Sequence, residues 1–504
     1  MWGASGQIRS IGVLLCAALL AFPAGAGAAK RDKALEARMM RHIEVLASDD
    51  FAGREPGTEG EAKTLRYLGE QWFQIGLVSG TNDPANAWFA PVTLVAREPA
   101  TSNAQFFRTG KGQYVPTDAV LVLTSGSRSL VRNAPLLFVG TGEGVALSRN
   151  DLAGRIALLL DGDSGGEAGS EGGASDRQSA LLAAGASAVL TVLDGDRSIE
   201  YVKARRQRSG YALANDNPGG DLEAFITREG VQRMLAGSGY TLESLEKLAE
   251  KADFAARPLP LSATLEATTR ETRINTHNLI GKLPGKQPSA GAVLLVAHWD
   301  HFGVCAEAPA EDLVCNGAID NASGVASLTE IARKLAKGPK LDRDVLFLAT
   351  TAEELGLLGA HAFAENPPVP LASIVAAFNI DSNAVAPRGK PFGIVGKGMT
   401  ALDPQILAAA KKARVTVRTD EAANEFVRRQ DGWALLQHDI PTVIVSTAYG
   451  EPGRMEAFFA EDYHRPSDDL GRPVEIGGAA EDVEFLTFLA RWFADPRLVP
   501  PIAK

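Results

Sequence analysis

The chain has 504 residues, of which 45% are hydrophobic, and its formal net charge is −10 with a pI near 5.4. Such a length and composition are typical of a globular protein of two or three domains. Because the charge is acidic, we expect neither nucleic acid nor an anionic membrane surface as a partner.

The first 28 residues are predicted to be a secretory signal peptide. Arg9 precedes an apolar segment at residues 11–22, and small residues with Ala-x-Ala cleavage sites follow it. A membrane anchor is the alternative, but an anchor needs about 20 apolar residues and Pro23 ends this segment earlier. Cys16 lacks the small preceding residue of a lipoprotein cleavage site. The prediction places the mature protein in a secreted or periplasmic location.

Two helices and a strand are predicted between residues 29 and 110. The runs ALEARMMRHIEVLAS and TEGEAKTLRYLGEQWFQIGL place apolar residues three and four positions apart, as on one face of a helix. The run WFAPVTLVA that follows them has the composition of a strand. This part is expected to pack with the α/β region that begins after residue 263.

Residues 111–263 have a different character. Short strands rich in Val and Leu (AVLVLTS, PLLFVG, RIALLLDG and SAVLTVLDG) alternate with Gly and Asp turns. Residues 163–176, DSGGEAGSEGGASD, have the composition of a flexible surface loop. Because this region lies between two parts that resemble one α/β unit, it is predicted to be an inserted domain.

From about residue 273 the sequence alternates strands and helices. The predicted strands are VLLVAH, DVLFLATTA, SIVAAFNID, FGIVG and TVIVSTA, and the predicted helices are SGVASLTEIARKLAK, GLLGAHAFAEN and DPQILAAAKKAR. Continuous apolar strands between helices predict an α/β fold with a mostly parallel, mixed sheet covered on both faces. Ligands bind beyond the carboxyl ends of the strands in such sheets. No later segment is apolar enough to suggest a membrane span.

Cys305 and Cys315 are the two cysteines of the predicted mature chain. In an oxidising compartment an even pair predicts a disulfide, which would close the loop between them. Two free thiols are the alternative. A thiolate metal site is disfavoured because only two cysteines lie close to histidines and carboxylates.

Polar side chains occur at five positions where the predicted strands stop or the next element begins. These positions are His298 with Asp300, Asp320, Glu353 with Glu354, Asp381, and His464. Each alone fits a commoner role, such as a helix cap or a surface residue, but five at one sheet edge indicate a metal site. Imidazole and carboxylate ligands suit zinc, with cobalt or manganese as alternatives.

Two histidines and three carboxylates are too many for one open zinc site. They fit two ions that share a carboxylate and a water, as in two-metal hydrolases. A further carboxylate is needed to accept the proton of the water. The adjacent Glu353 and Glu354 offer one ligand and one base.

The runs AHWDHFG, NGAIDNASG, TAEELGLLG, NID and YHRPSDD, in this order, resemble the co-catalytic di-zinc exopeptidase family, which includes aminopeptidase S, leucyl aminopeptidase and glutamate carboxypeptidase. The resemblance covers about residues 31–110 and 273–493. It implies the zinc exopeptidase fold and two zinc ions. It further implies the following ligands: His298 and Asp381 for one ion, Glu354 and His464 for the other, and Asp320 as the bridge.

The resemblance also implies roles for the remaining residues. Glu353 would be the general base, and Asp300 would lie behind His298 and fix its imidazole tautomer. Tyr463 would donate a hydrogen bond to the developing oxyanion, with a packing aromatic as the alternative. His301 is expected to be structural, near the rim of the cleft.

The region at residues 111–263 resembles a β-rich protease-associated domain. The runs NDLAGRIALLLDGD and LLAAGASAVLTVLDG carry this resemblance, and LASDDFAGREPGTEGE is common in family members with that domain. The expected organisation is therefore a signal peptide at 1–28, a di-zinc peptidase domain at 29–110 and 264–504, and the inserted domain at 111–263. The insertion would cover the cleft and shape substrate access, or serve as a purely structural lid.

Two departures from the family pattern concern the surroundings of the site. Ile319 occupies the position before the bridging aspartate, which is often acidic in relatives, and is expected to affect hydrogen bonding more than metal binding. In RRQDGWALLQHDIP, Asp431 and Trp433 fit the pattern, whereas Gln430 and Gly432 do not. These departures mean that the resemblance does not predict the specificity pocket.

The leading hypothesis is a secreted zinc aminopeptidase that hydrolyses N-terminal residues from peptides through a zinc-bridging water. Its acidic site around Glu353 and Asp381 suits a free α-ammonium group. One alternative is a carboxypeptidase or dipeptidase, in which Arg428 or Arg429 would bind the terminal carboxylate. Another is a glutaminyl cyclase on the same scaffold. A binding protein on an inactive peptidase fold is the non-enzyme alternative, and it would be expected to have lost ligands.

Overall fold

The computed structural model describes residues 31–108, 111–142, 147–161, 173–194, 197–208, 210–216, 220–306, 308–451 and 453–500. The predicted signal peptide lies outside these residues, as does most of the loop predicted at 163–176. The last four residues of that loop belong to a helix that begins at Gly173.

The helices and strands before residue 257 are, in chain order, α1 (Lys33–Leu46), α2 (Glu59–Ile75), β1 (Val78–Ser79), β2 (Phe89–Arg108), β3 (Lys111–Gln113), β4 (Val120–Thr124), β5 (Arg128–Phe138), α3 (Arg149–Leu152), β6 (Ile156–Leu160), α4 (Gly173–Ala183), β7 (Ala188–Val192), α5 (Ile199–Arg208), β8 (Tyr211–Leu213), β9 (Leu222–Ile226), α6 (Arg228–Leu235) and α7 (Leu242–Ala249). The two N-terminal helices and the strands predicted from Val- and Leu-rich runs are confirmed.

The remaining elements are β10 (Arg257–Leu283), β11 (Ala292–His298), β12 (Gly303–Val304), β13 (Val314–Cys315), α8 (Gly324–Ala336), β14 (Asp344–Thr350), α9 (Leu358–Glu365), β15 (Ile374–Asn379), β16 (Gly393–Val395), α10 (Asp403–Ala413), α11 (Asp431–Gln437), β17 (Thr442–Ser446), α12 (Arg454–Glu461) and α13 (Ile476–Phe493). The helices α11, α12 and α13 were not among the predicted elements. Among the residues described, no helix combines the length and the apolarity that a membrane crossing needs.

One sheet joins most of the strands, in the order β16-β17-β15-β11-β14-β10-β5-β6-β7-β9-β4. Near one end, β14, β11, β15 and β17 are parallel, and antiparallel β10 and β16 flank them. Every residue of β11, β14 and β15 is buried, as expected for apolar strands covered on both faces. The predicted mixed α/β fold is confirmed.

Helices cover both faces of this parallel part. Apolar residues of α1, α2, α8, α10 and α13 pack on one face, and those of α9 and α11 pack on the other. The helices therefore occupy the faces of the sheet. The turns beyond the carboxyl ends of the strands remain available for polar side chains.

Residues 106–267 contain a separate set of apolar clusters. The long strand β10 connects the two parts, because its first half pairs with β5 and its second half with β14. The boundary predicted between residues 263 and 264 lies inside this continuous strand. In addition, β8 pairs with β2, and Leu213 of β8 belongs to the same buried apolar cluster as Ala352 and Leu358, which follow β14.

Candidate metal centre

The predicted site residues lie at one edge of the sheet. His298 is the last residue of β11, Glu353 and Glu354 follow β14, and Asp381 follows β15. Because these three strands are parallel neighbours, their carboxyl ends meet. Asp320 lies in the turn before α8, and His464 lies between α12 and α13.

Asp320 lies between the two histidines. Its Oδ1 atom is 3.2 Å from His298 Nε2, and its Oδ2 atom is 3.5 Å from His464 Nε2. His298 Nε2 is also 3.5 Å from Asp381 Oδ1, and His464 Nε2 is 2.9 Å from Glu354 Oε2. The structure therefore brings all five predicted ligands together as two histidine–carboxylate pairs on either side of Asp320.

Buried polar atoms in this cluster lack ordinary partners. His298 Nε2, Asp320 Oδ2 and His464 Nε2 are buried and have no hydrogen-bond partner within the described part of the chain. Ligand atoms of His298, Asp320 and Asp381 lie within 4.8 Å of one another. Unpaired buried nitrogen and carboxylate atoms are costly, and this donor set is one that zinc accepts. The residues present therefore fit a metal ion.

Asp300 supports the backbone more than the imidazole. Its Oδ1 and Oδ2 atoms accept hydrogen bonds from the backbone N–H groups of Glu353 at 3.1 Å and Glu354 at 3.4 Å. Its carboxylate is 3.8 Å from His298 Nδ1, whereas its own backbone carbonyl is 3.2 Å from that atom. Asp300 thus fixes the turn that carries the two glutamates, and its carbonyl orients the histidine.

Burial and crowded carboxylates shift the protonation of the site. Burial raises the pKa of Glu353 well above its ordinary value, and it raises the pKa of Asp300 to about 7. Burial alone would lower the pKa of His298, but the carboxylates around it, Glu353 foremost, outweigh that effect and raise the pKa. The site therefore crowds carboxyl groups in a buried place, where a bound dication would favour their ionised forms.

His301 lies inside the site and not at the cleft rim. It is 1% exposed, and its Nδ1 atom is hydrogen-bonded to Glu354 Oε1. Its Nε2 atom is buried without a hydrogen-bond partner among the residues described. The expectation of a rim position was wrong because position along a motif does not show which way a side chain turns after the strand ends.

Tyr463 both packs and faces the carboxylates. Its ring stacks on His464 with centroids 3.6 Å apart and meets Phe459 edge-on at 4.4 Å. Burial, reinforced by Asp320 and Glu354, raises the pKa of its phenol well above the ordinary value. The hydroxyl is therefore protonated at neutral pH and remains a donor.

Tyr449 also faces the cluster, although sequence reasoning missed it. It follows β17 and is 9% exposed, and burial followed by the charge of Asp381 raises the pKa of its phenol well above the ordinary value. The signal was available, because Tyr449 stands just after the predicted strand TVIVSTA, at the same sheet edge as the ligands.

Arg54 and Asp468 were also missed. Arg54 is 1% exposed, and its guanidinium donates to the backbone carbonyls of Leu46, Trp299, Asn316 and Gly317 at distances of 2.5 to 3.0 Å. Both residues stand inside the quoted motifs LASDDFAGREPGTEGE and YHRPSDD, but nothing local in those motifs shows what they contact.

Asp468 holds the turn that carries the bridging position. Its two oxygens accept hydrogen bonds from the backbone N–H groups of Ile319 and Asp320, both at 2.9 Å. Ile319 therefore contributes its backbone to the hydrogen bonding of the site, while its side chain is buried in the core.

Gln430, one of the departures from the family pattern, is buried and connects two elements. Its Oε1 atom accepts hydrogen bonds from Asn379 Nδ2 at 2.6 Å and from the backbone of Gly432 at 2.7 Å. Asn379 ends β15 two residues before Asp381. Gln430 therefore stabilises both the start of α11 and the end of β15, the strand that leads to the predicted ligand Asp381.

The structure contains the disulfide predicted between Cys305 and Cys315, with Cα atoms 5.7 Å apart. It closes the loop between His301 and Asp320. The short strands β12 and β13 pair within the same loop, so both covalent and backbone contacts restrain it.

Comparisons with known proteins show similarity over the part of the chain that contains the cluster. Residues 278–476, which include the whole cluster, match the model of peptidase family M28. The chain is 32% identical over 103 residues to the alkaline phosphatase isozyme conversion protein of Escherichia coli (strain K12). It is 30% identical over 123 residues to a vacuolar membrane protease of Candida dubliniensis. These segments cover 19% and 24% of this chain and only 29% and 12% of the two relatives.

The fold has a counterpart among solved structures. An aminopeptidase from Aneurinibacillus sp. strain AM-1 is similar with a TM-score of 0.53 and 19% sequence identity, over 91% of this chain and 93% of that chain. This likeness supports the architecture. The match to peptidase family M28 covers residues 278–476, the part of the chain that carries the whole cluster.

Proposed function

We propose that the protein is a zinc-dependent exopeptidase that removes N-terminal residues from peptides outside the cytoplasm. One observation carries the proposal: each oxygen of Asp320 faces a different histidine, and each histidine has its own carboxylate, Asp381 or Glu354. This arrangement supports two ions, held by His298 and Asp381 on one side and by Glu354 and His464 on the other, with Asp320 between them.

The chemistry would divide between the metal and the chain. When bound, a pair of zinc ions lowers the pKa of water and polarises a substrate carbonyl. Glu353 has its Oε2 atom 4.0 Å from His298 Nε2, so it can accept the proton of the attacking water and pass it to the leaving amine. The hydrogen bond from its backbone N–H to Asp300 holds it in place.

The preference for a free N-terminus is supported by the sign of the charges. Glu353 and Asp381 provide carboxylates for an α-ammonium group. A carboxypeptidase would instead need a cation near the scissile bond. Arg428 and Arg429 lie over the rings of Trp433 and Phe459, at 5.3 and 5.4 Å from the ring centroids, which gives both guanidinium groups a packing partner.

Residues 111–263 are proposed to be an inserted protease-associated domain, within a peptidase domain formed by 29–110 and 264–504. The separate apolar clusters of residues 106–267 support this division. Leu213 of the insertion shares a buried apolar cluster with Leu358 and with Ala352, which directly precedes Glu353. A signal peptide at 1–28 is proposed as well, and the disulfide agrees with an oxidising compartment.

The test combines metal content with substrate selection. The full mature chain is purified, its zinc is counted by mass spectrometry, and hydrolysis of aminoacyl p-nitroanilides is measured before and after chelation. We expect two zinc ions per chain, loss of activity on chelation and recovery with zinc. Cleavage of N-blocked peptides but not of C-blocked peptides would instead identify a carboxypeptidase.

Two further outcomes would replace the proposal. Release of ammonia from N-terminal glutaminyl peptides without peptide cleavage would identify a glutaminyl cyclase. A chain that holds no metal and cleaves nothing would be a binding protein on an inactive fold.

A further inference from the structure

Glu354 is held on both sides by histidines. Its Oε2 atom lies 2.9 Å from His464 Nε2, and its Oε1 atom accepts a hydrogen bond from His301 Nδ1. Each oxygen of Glu354 thus contacts a different histidine. Since a carboxylate can bind a metal through one oxygen or through both, the partner of Oε1 decides which atom faces the metal.

His301 is itself fixed in orientation. The α-carbon of Gly317, whose φ is +56°, lies so close to the imidazole that an added Cβ would be 2.7 Å from His301 Cδ2. On the other side, the rings of Phe302 and His464 have centroids 5.2 and 6.0 Å from that of His301. Arg54 in turn holds the Gly317 carbonyl at 3.0 Å. The imidazole therefore has no room to turn away from Glu354.

We infer that His301 is a positioning residue that engages one oxygen of Glu354 and leaves the other directed at His464 and Asp320. This inference rests on the proposed function, in which Glu354 and His464 hold one of two zinc ions. In this assignment Oε2 of Glu354 would be the oxygen left for that ion, while Nδ1 of the imidazole donates its hydrogen bond to Oε1. Asp300 and His301, adjacent in AHWDHFG, thus support different parts of the centre.

The opposite assignment is that His301 binds the metal directly. Its Nε2 atom has no hydrogen-bond partner in the described part of the chain, and ligand atoms of His301, Asp320 and Glu354 lie within 4.8 Å of one another. The nitrogen that approaches Glu354 is already engaged in the hydrogen bond, however, and the closest partner of that carboxylate's free oxygen is His464. The positioning role depends on Nδ1 of His301, whereas a direct metal ligand would use Nε2. Substitutions that replace one nitrogen or the other can therefore distinguish the two assignments.

Two isosteric amides make this separation. In His301→Asn the side-chain amide nitrogen falls near the Nδ1 position, and in His301→Gln it falls near the Nε2 position. Zinc affinity of the full mature chain is measured by competition with a chelator, and the absorption spectrum of the cobalt-substituted protein is recorded. We expect His301→Gln to weaken one of two ions by roughly 10- to 100-fold, as is usual for loss of a supporting partner, and to alter its cobalt spectrum. His301→Asn should retain the wild-type affinity for that ion and the wild-type cobalt spectrum.

His42→Gln is the matched control. His42 is also a buried histidine, 5% exposed, but it contacts Tyr67 and Glu330 away from the cluster. It should leave both zinc affinities and the cobalt spectrum unchanged.

Three results would overturn the inference. Wild-type affinity and spectrum in His301→Gln would do so, and so would equal loss of the ion in His301→Asn and His301→Gln, which would indicate a direct ligand. A wild-type chain that binds no zinc would remove the proposed function and this inference together. If His301→Gln does not fold, the zinc-induced rise in Tm of His301→Asn decides, because a smaller rise than in the wild type contradicts the inference.

Discussion

The two parts of the metal centre are built differently. The strand half, defined as His298 and Asp381, stands at the ends of β11 and β15, and its side chains are 2% and 9% exposed. The loop half, defined as Glu354 and His464, depends on a segment between α12 and α13, and the His464 side chain is 28% exposed. A central strand holds its ligand through paired backbone, whereas a loop needs side-chain contacts to do so.

Those contacts are present around the loop half. The rings of Tyr463 and Phe302 lie against His464, with centroids 3.6 and 4.5 Å away, and His301 and Glu354 complete the enclosure. His464 has a φ of 58°, a conformation that costs energy for a residue with a Cβ. The difference between the halves therefore predicts that they respond differently to substitution.

The largest effect is expected from Glu353, which belongs to neither half. Glu353→Gln keeps the size and the hydrogen bond to Asp300 but removes the proton acceptor, so kcat should fall by roughly 10²- to 10⁴-fold while zinc content stays at the wild-type level. Steady-state kinetics and metal analysis of the same preparation check this. Glu354→Gln is the comparison and should lose zinc from the loop half. Undiminished turnover in Glu353→Gln would contradict the role as base.

The second prediction breaks the centre one half at a time. His298→Ala should weaken one ion by more than the roughly 100-fold that loss of a supporting residue costs. It should also lower the Tm of the metal-free chain, since His298 is fully packed. His464→Ala should weaken the other ion but leave that Tm nearly unchanged, because its side chain is partly exposed. Zinc titration of the metal-free chains measures the affinities, and calorimetry measures their Tm. Equal Tm values for metal-free His298→Ala and His464→Ala would argue against the difference between the halves.

The strand half was also the part that the sequence predicted best. A continuous apolar run such as VLLVAH predicts a buried strand. Its last residue is therefore expected at the carboxyl end of that strand, at the edge of the sheet, from the local pattern alone. Asp381 after SIVAAFNID and the glutamates after DVLFLATTA follow the same rule. The α/β fold and the common location of these residues could therefore be predicted without knowing any long-range contact.

The position of His464 and the contacts of the supporting residues depend on long-range contacts that no local pattern carries. His464 was a candidate from the sequence, but its pairing with Glu354 as a ligand came only from the resemblance to a family. His301, Arg54 and Asp468 act through side-chain or backbone contacts with residues 53, 245 and 148 positions away, and a period of two or 3.6 residues contains no information about such pairs. The continuity of β10 across a predicted domain boundary is of the same kind, because its two partners, β5 and β14, are far apart in sequence.

The third prediction tests whether one residue supports both halves. Arg54 holds the carbonyl of Trp299, next to His298, and that of Gly317, next to His301 and Asp320. Arg54→Met should cost ~3–5 kcal/mol of unfolding free energy, since carbonyls and carboxylates around a buried cation lose their partner. It should also weaken both ions. Urea unfolding and zinc titration provide the two measurements.

Arg343→Met is the matched control for this substitution. Arg343 is also buried, and its guanidinium donates to the carbonyls of Ala290, Phe493 and Val499 at 2.6 to 2.7 Å. It precedes β14, whereas the glutamates of the site follow that strand. Its loss should destabilise the chain to a similar degree yet leave both zinc affinities unchanged. Wild-type affinities in Arg54→Met would show that the centre does not depend on the Arg54 contacts.

The smallest predicted effect concerns the helix that follows Asp320, the proposed shared ligand. Glu330 of α8 accepts hydrogen bonds from Arg38 at 2.8 Å and Arg333 at 2.9 Å. Burial alone would raise its pKa, but these hydrogen bonds and that of His42 outweigh burial and lower the pKa to about 2. Because the pKa is lower in the folded chain, the stabilisation is complete above about pH 4.5 and is lost as the pH falls toward 2.

Glu330→Gln should therefore reduce the unfolding free energy at pH 7 by at most about 3 kcal/mol, the equivalent of some two pKa units. The difference in unfolding free energy between Glu330→Gln and the wild type should decrease steadily as the pH is lowered from 5 to 3. The control is Glu59→Gln, whose side chain is 83% exposed beside Lys63, and it should show no difference at either pH. Glu330 holds α8 against α1 and contacts none of the proposed ligands. The zinc affinity of each half at pH 7 should therefore be the same in Glu330→Gln as in the wild type. Unequal loss from the strand half and the loop half would mean that α8, and not the local contacts of each half, sets the position of Asp320.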